Sequence, residues 1–328
     1  MNRRKLVEQA INGEIPVNTP VAPLIGAHSA MLYRESVKEA YRNPELMARL
    51  QIKAAKFYDI DIVFHYMDTT LEAEALGAKI DIKNSLPTIV GHLTEPPEPI
   101  FNEERGRIKI FVNALAKISK ELSIEKIIGG YVLGPFTFLC QLFGIAKVFR
   151  KIIYGETSSV KTYIFKLSEY SKGYVDLLID RGKADLIMVL EPCLILAGPV
   201  VFERYARRAV ENLLSYIKRR GVYSAIHVCG RSNRIIQHLK NLSFDVIQLD
   251  CYVDLREAKK ILANKCILGN IDTRLLVNSV PDIVFNKARE CIERGGGRYH
   301  ILSAGCEVPL RSHPENIKAL VKAARGCR

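Results

Sequence analysis

The chain has 328 residues, with 48 Lys and Arg against 35 Asp and Glu, no Trp and a 48% apolar share. That length allows one large or two ordinary domains, buries about three quarters of the unfolded surface without disulfides, and has a composition that excludes disorder, collagen and coiled coil. The net charge of +13 would suit nucleic acid, an acidic partner or an anionic substrate, but pairs such as Arg3-Arg4 and Arg219-Arg220 never grow into a basic run. Nucleic acid is therefore set aside, and the cations are expected to be dispersed over helices.

In chain order, residues 1–18 read as an N-terminal arm, helical at first. The basic start meets Glu8 and Glu14 before any apolar core, so it does not read as a signal peptide. Apolar runs that lack clean alternation follow near 21–27, 60–65, 127–133, 185–190, 223–228, 244–249, 266–268 and 299–303. Such runs fit parallel strands covered on both faces. Asn43-Pro44-Glu45 is an N-cap followed by proline, and Pro281 and Pro314 also mark helix starts. The proline-rich stretch 79–99 reads as a long loop, and 147–161 as a second flap. The uncharged stretch 127–146 is nearly long enough to span a bilayer. Gly129, Gly130, Gly134 and Pro135 instead make it a buried strand, a sharp turn and a helix start. Three helical segments end in Arg181-Gly182, Arg220-Gly221 and Arg294-Gly295, where glycine is expected in the left-handed position. Eight strand–helix units predict a (β/α)₈ barrel, with residues 1–328 as one domain, an N-terminal helical arm and extended loops at the C-terminal face. A doubly wound open sheet is the runner-up, and no Gly-x-Gly-x-x-Gly turn supports a dinucleotide version of it.

In such a barrel chemistry sits where strands end. The polar residues there are Asp68, Gly134, Glu191, His227, Cys229, Asp250, Asn270, Asp272 and Cys306. Asn270 and Asp272 are equally what helix caps look like. His227-x-Cys229 is the sharpest local feature, because residues i and i+2 of a strand point the same way. Imidazole and thiolate together suit zinc. Cys306, beside Gly305 at another strand end, would complete a three-ligand set with one position open. Cys193 and Cys251 also lie at strand ends and compete as ligands. Cys140, Cys266, Cys291 and Cys327 read as small buried hydrophobes or incidental thiols. His28, His65, His92, His238, His300 and His313 have no second ligand at useful spacing. Scattered cysteines fit a reducing, cytoplasmic setting.

Several segments together resemble the uroporphyrinogen decarboxylase superfamily, and within it the methylcobamide:coenzyme M type of methyltransferase. They are Thr19-Pro20-Val21, the run from Asp68 to Gly77, Gly134-Pro135-Phe136-Thr137, His227-Val228-Cys229-Gly230, Leu268-Gly269-Asn270-Ile271-Asp272, and Gly305-Cys306-Glu307-Val308-Pro309 followed by Pro314-Glu315-Asn316. The resemblance implies zinc on His227, Cys229 and Cys306, with Asp250 as a displaceable fourth ligand. Asp68, Glu191 and Asp250 are then candidate catalytic residues, and Gly134, Asn270 and Asp272 candidate cofactor contacts. The implied cofactors are Zn²⁺ and a methylcobamide donor. The implied partners are a separate corrinoid protein and a small-molecule thiol such as coenzyme M, in methanogenesis or related one-carbon metabolism. Neither nucleic acid nor membrane is expected. The substrate sulfur would attack the methyl group of a methylated corrinoid in line, and a basic rim would steer the corrinoid protein. The alternatives are a tetrapyrrole decarboxylase and a non-catalytic corrinoid-protein binder with structural zinc. The decarboxylase branch carries N-terminal arginines where this chain reads Leu24-Ile25-Gly26-Ala27-His28-Ser29. Two departures stand out: Glu191 replaces the Asp frequent in relatives, and Arg231 follows the His-x-Cys-Gly segment where Asn is frequent.

Overall fold

The computed structural model describes residues 2–82, 86–155 and 157–326. Its strands, in chain order, are β1 (Ile62–Phe64), β2 (Lys79–Asp81), β3 (Thr88–Gly91), β4 (Ile127–Leu133), β5 (Leu186–Leu190), β6 (Tyr223–Val228), β7 (Val246–Leu249), β8 (Cys266–Ile271) and β9 (His300–Ala304). Seven of them form one parallel sheet in the order β1-β4-β5-β6-β7-β8-β9, with helices between successive strands. β4, β5, β7 and β9 are buried along their whole length, as strands with both faces covered must be.

The eighth stave departs from expectation. The 21–27 run is not a regular strand: only Val21 bridges to Leu302. Pro20 and Pro23 flank it, and neither has an N–H to continue a ladder. The segment still joins the two edges. Ala22 donates to the Leu302 carbonyl and Leu302 to the Pro20 carbonyl, both at 2.8 Å, while Asp61 N–H donates to the Val21 carbonyl at 2.9 Å. Its lost pairing is replaced by a side chain: the Asp61 carboxylate accepts from Val21 N–H at 2.7 Å. The result is a (β/α)₈ barrel with seven regular strands and one short proline-bounded closure.

Two expected loops are built otherwise. The 79–99 stretch contains the antiparallel β2–β3 hairpin, with residues 83–85 outside the described residues. The 147–161 stretch is mostly helical, shared between the helices Ile145–Ile153 and Thr157–Asp180. The glycine prediction needs two corrections. Gly221 is left-handed as expected, but Gly295 ends the helix Pro281–Gly295 and Gly296 takes that conformation, and at the first junction Lys183 does. A Cβ at Gly182 would meet the Leu178 carbonyl oxygen at 2.5 Å, so close packing, rather than a positive φ, calls for glycine there.

The helix Arg3–Ile11 closes the N-terminal end of the barrel. Arg4 N–H donates to the Glu125 carbonyl at 2.7 Å and its guanidinium pairs with Asp185 at 2.7 Å, just ahead of β4 and β5. Leu6, Val7, Ala10 and Ile11 face the core. The opposite end, at the strand C-termini, is left to the βα loops. Among the described residues no helix is long and apolar enough to cross a membrane.

Candidate metal centre

β6 ends in His227-Val228, and Cys229 follows one pleat later, so the two side chains emerge on one side. Cys306 comes from the turn after β9. Gly305 makes that possible, because a Cβ there would fall 2.7 Å from the Cys251 nitrogen and 2.8 Å from Asp250 Cα. The glycine lets the β9 turn nest directly on the β7 turn. As a result His227, Cys229 and Cys306 place one ligand atom each within 4.8 Å of one another. The two sulfurs are 3.9 Å apart, and Asp250 Oδ2 lies 3.5 Å from Cys229 Sγ.

The donors fit zinc. Two sulfurs bound at about 2.3 Å around a tetrahedral ion would be about 3.8 Å apart. His227 is buried, and its Nδ1 has no hydrogen-bond partner. A buried ring nitrogen without a partner is costly unless a ligand takes it up. The Cys229 thiol is pulled down to about 5, first by its hydrogen-bonded contact with Cys306 and then by His227. Cys306 is pushed up by the same contact and by burial. The pair thus holds one thiolate readily, the form in which cysteine binds metal.

Asp250 is held in place. Its Oδ2 accepts from Gly230 N–H at 2.9 Å. Asn270 donates its side-chain amide to the carbonyls of Asp250 and Val253 at 2.9 and 2.7 Å, fixing the loop after β7. Asp272 accepts from Arg274 N–H at 2.9 Å and ion-pairs with the same guanidinium, capping the helix Thr273–Asn278. Asn270 and Asp272 also line a cleft of about 380 Å³ beside Asp250, with Cys251 and Tyr252.

The remaining strand-end residues engage elsewhere. Glu191 is buried and accepts from Phe136 N–H, Thr137 N–H and the Thr137 hydroxyl at 3.0, 2.9 and 2.8 Å, anchoring the start of the helix Pro135–Phe143. A Cβ on Gly134 would overlap the Glu191 side chain, so this glycine makes room for that anchor. Asp68 accepts from Thr70 N–H and hydroxyl at 2.7 Å and pairs with Arg107, itself buried, at 2.7 Å. Arg107 also pairs with Glu74 at 2.7 Å. No local pattern in the sequence announces Arg107. Glu307, next to Cys306, has its carboxyl pushed up to about 8 by burial. Cys193 and Cys251 stay outside the three-residue ligand group found among the described residues. His28 is tied to Tyr58 and the Leu310 carbonyl, and His65 and His300 to backbone groups, as structural histidines are. Cys327 lies outside the described residues.

The family model for uroporphyrinogen decarboxylase (URO-D) matches residues 2–327. The chain belongs to the uroporphyrinogen decarboxylase family. Similar curated members include the methylcobamide:CoM methyltransferase MtbA of Methanosarcina acetivorans, 25% identical over 298 residues, covering 88% of this chain and 86% of the relative. The uroporphyrinogen decarboxylase of Thermodesulfovibrio yellowstonii is 23% identical over 288 residues, covering 85% and 83%. Among solved structures, a methyltransferase from Methanosarcina mazei superposes with a TM-score of 0.89 over 99% of this chain and 98% of that one, at 22% identity. That likeness bears on the fold of this family member, a URO-D-like barrel.

Proposed function

We propose that this family member is a zinc-dependent methyltransferase that moves a methyl group from a methylated corrinoid, carried on a separate protein, to a small thiol. The observation that carries the reading is the convergence of His227, Cys229 and Cys306 within 4.8 Å at the barrel mouth. The similarity to methylcobamide:CoM methyltransferases, at about a quarter identity over most of both chains, supports the same reading. The decarboxylase alternative has less support. At 24–29, where that branch carries arginines, His28 and Ser29 are buried and bonded to Tyr58 and Tyr66.

Zinc bound there would supply Lewis acidity, holding an acceptor thiol as its thiolate at neutral pH. The chain's own residues do the rest. Cys229 and Cys306 contribute thiolate donors from two different strand ends, and His227 a neutral imidazole. Asp250, held by Gly230 N–H and by the Asn270 tether, would be the fourth, displaceable carboxylate beside the bound ion, carrying the same charge as an acceptor thiolate. Glu191, Asn270 and Asp272 act as positioning residues, since each fixes the start or end of a loop at the mouth. The methylated corrinoid is a substrate that gives up its methyl group to the thiolate sulfur and leaves as Co(I).

The test combines metal analysis with an assay of methylcobalamin and a series of thiols, coenzyme M among them, followed by the appearance of Co(I). Stoichiometric zinc and thiol methylation are expected, and both are lost in His227→Ala while circular dichroism stays native. Full turnover by that variant without zinc would falsify the reading.

A further inference from the structure

The positive charge of this chain is not spread evenly. Residues 144–168 and 192–210 carry eight Lys and Arg against two acids, a surplus of six out of +13. They belong to the connections that follow β4 and β5, at the C-terminal end of the barrel. Folding brings them together. Tyr205 Oη lies 3.1 Å from Thr157 Oγ1 and donates to the Ile152 carbonyl at 3.5 Å. Between them runs a groove of about 600 Å³ lined by Lys161, Phe165, Arg204, Tyr205 and Arg208, with Glu203 and the Glu98-paired Lys166 also on its wall. Lys161 and Arg204 sit 5.7 and 5.6 Å over the Tyr205 ring, and Arg208 sits 5.2 Å over Phe165. The rings hold these cations without neutralising them. Among the described residues none of the three has a carboxylate partner, and Glu203 is taken by Arg207 and His238.

The ground beside the groove is apolar and open. Ile153 and Tyr154 are 75% and 79% exposed on one side, Leu196 and Val200 59% and 77% on the other. Leu196 and Val200 lie on either side of a break at Gly198, where φ is 67°, and the segment Leu194–Val201 that bears them reaches the metal centre itself. A Cβ at Gly230 would fall 2.8 Å from Ile195 Cδ1, and Gly230 adjoins Cys229 and holds Asp250. The segment from Ile195 to Arg208 therefore runs from beside the ligand set to the groove.

We propose that this face, centred on Lys161, Arg204 and Arg208 with the Leu196–Val200 ridge, docks the acidic protein that delivers the methylated corrinoid. The inference rests on the methyl-transfer reading above and adds where the donor protein binds. A cationic patch flanked by apolar side chains has the make-up of a protein interface in which charge sets orientation and encounter rate. Continuity through Ile195 places the delivered methyl group at the mouth.

The experiment uses the whole zinc-loaded protein and two donors: free methylcobalamin, and methylcobalamin loaded on a recombinant corrinoid-binding domain of acidic isoelectric point. Arg204→Glu/Arg208→Glu and, separately, Val200→Asp are compared with wild type. Binding to the loaded domain is measured by fluorescence anisotropy, independently of turnover. Expected are at least about tenfold weaker binding for the charge-reversed variant with a shallower salt dependence, weaker binding for Val200→Asp, and unchanged zinc content and unchanged turnover of free methylcobalamin. Wild-type-like binding by both variants would overturn the docking surface while leaving methyl transfer standing. Weakened binding to phosphatidylglycerol vesicles with unchanged binding to the domain would also overturn it. Failure of wild type to use free methylcobalamin with any thiol counts against the catalytic reading instead, because the binding measurement decides the surface by itself.

Discussion

Cys306 has no nearby partner in sequence, yet it meets His227 and Cys229 within 4.8 Å, because Gly305 lets two turns lie against each other. At this scale two outcomes are expected. Asp250→Asn keeps an oxygen for Gly230 N–H but removes the charge beside Cys229. Zinc affinity should fall about tenfold or more, read by competition with a chromophoric chelator. The second concerns Glu72, which is buried and accepts from Leu133 N–H at 2.6 Å, with its carboxyl raised to about 8 by desolvation. Its folded-state value lies above the unfolded one, so its stabilising contribution is complete below about pH 4.5. That contribution is lost as pH rises through about 8. Urea midpoints of wild type should decline across that window, and Glu72→Gln should flatten the slope; equal slopes would remove the assignment.

Among elements, the closure segment is the weakest stave and the most dependent on side chains. The prolines that flank Val21 prevent a ladder, so Asp61, fully buried at the start of β1, replaces it. Its carboxylate accepts from Val21 N–H at 2.7 Å and pairs with Arg325 of the helix Pro314–Arg325 at 2.6 Å. Removing one partner of a buried ion pair leaves the other charge uncompensated, at a cost of about 3–5 kcal/mol. Arg325 keeps Asp59 at 3.4 Å, so Asp61→Ala is expected to lose stability by less than that in denaturant titration while its zinc content stays native. The carboxylate acts at the N-terminal end, where barrels keep stability rather than chemistry. Glu191 does comparable work at the other end. It ties β5 to the helix after β4, so Gly134→Ala should destabilise the protein by displacing that anchor.

At the scale of the whole molecule the two ends of the barrel are specialised. The helix Arg3–Ile11 seals one with Leu6, Val7, Ala10 and Ile11 and with the Arg4–Asp185 pair. Each large side chain buried there contributes about 1.5–3 kcal/mol. Deleting residues 2–12 should therefore lower Tm by roughly 10 °C or more in calorimetry. The other end gathers the His227, Cys229 and Cys306 side chains and the basic connections after β4 and β5.

Legible in the residues alone were the seven regular strands of the barrel, the helix starts at Pro44, Pro281 and Pro314, and the His227–Cys229 pair, but not the β2–β3 hairpin. Each of these is local: a buried run, a cap or an i, i+2 spacing is written into neighbouring residues. Tertiary structure decided what no neighbour encodes. It turned the 21–27 run into a proline-bounded bridge closed by Asp61, and it gave Asn270 and Glu191 backbone groups to hold. It paired Asp68 with the unannounced Arg107. Lys161, Lys166, Arg204 and Arg208, which look dispersed along the chain, line one groove, because two successive βα connections become neighbours when their strands pair. A strand reports its own burial through its side chains, but what its end will face is fixed only when the sheet closes.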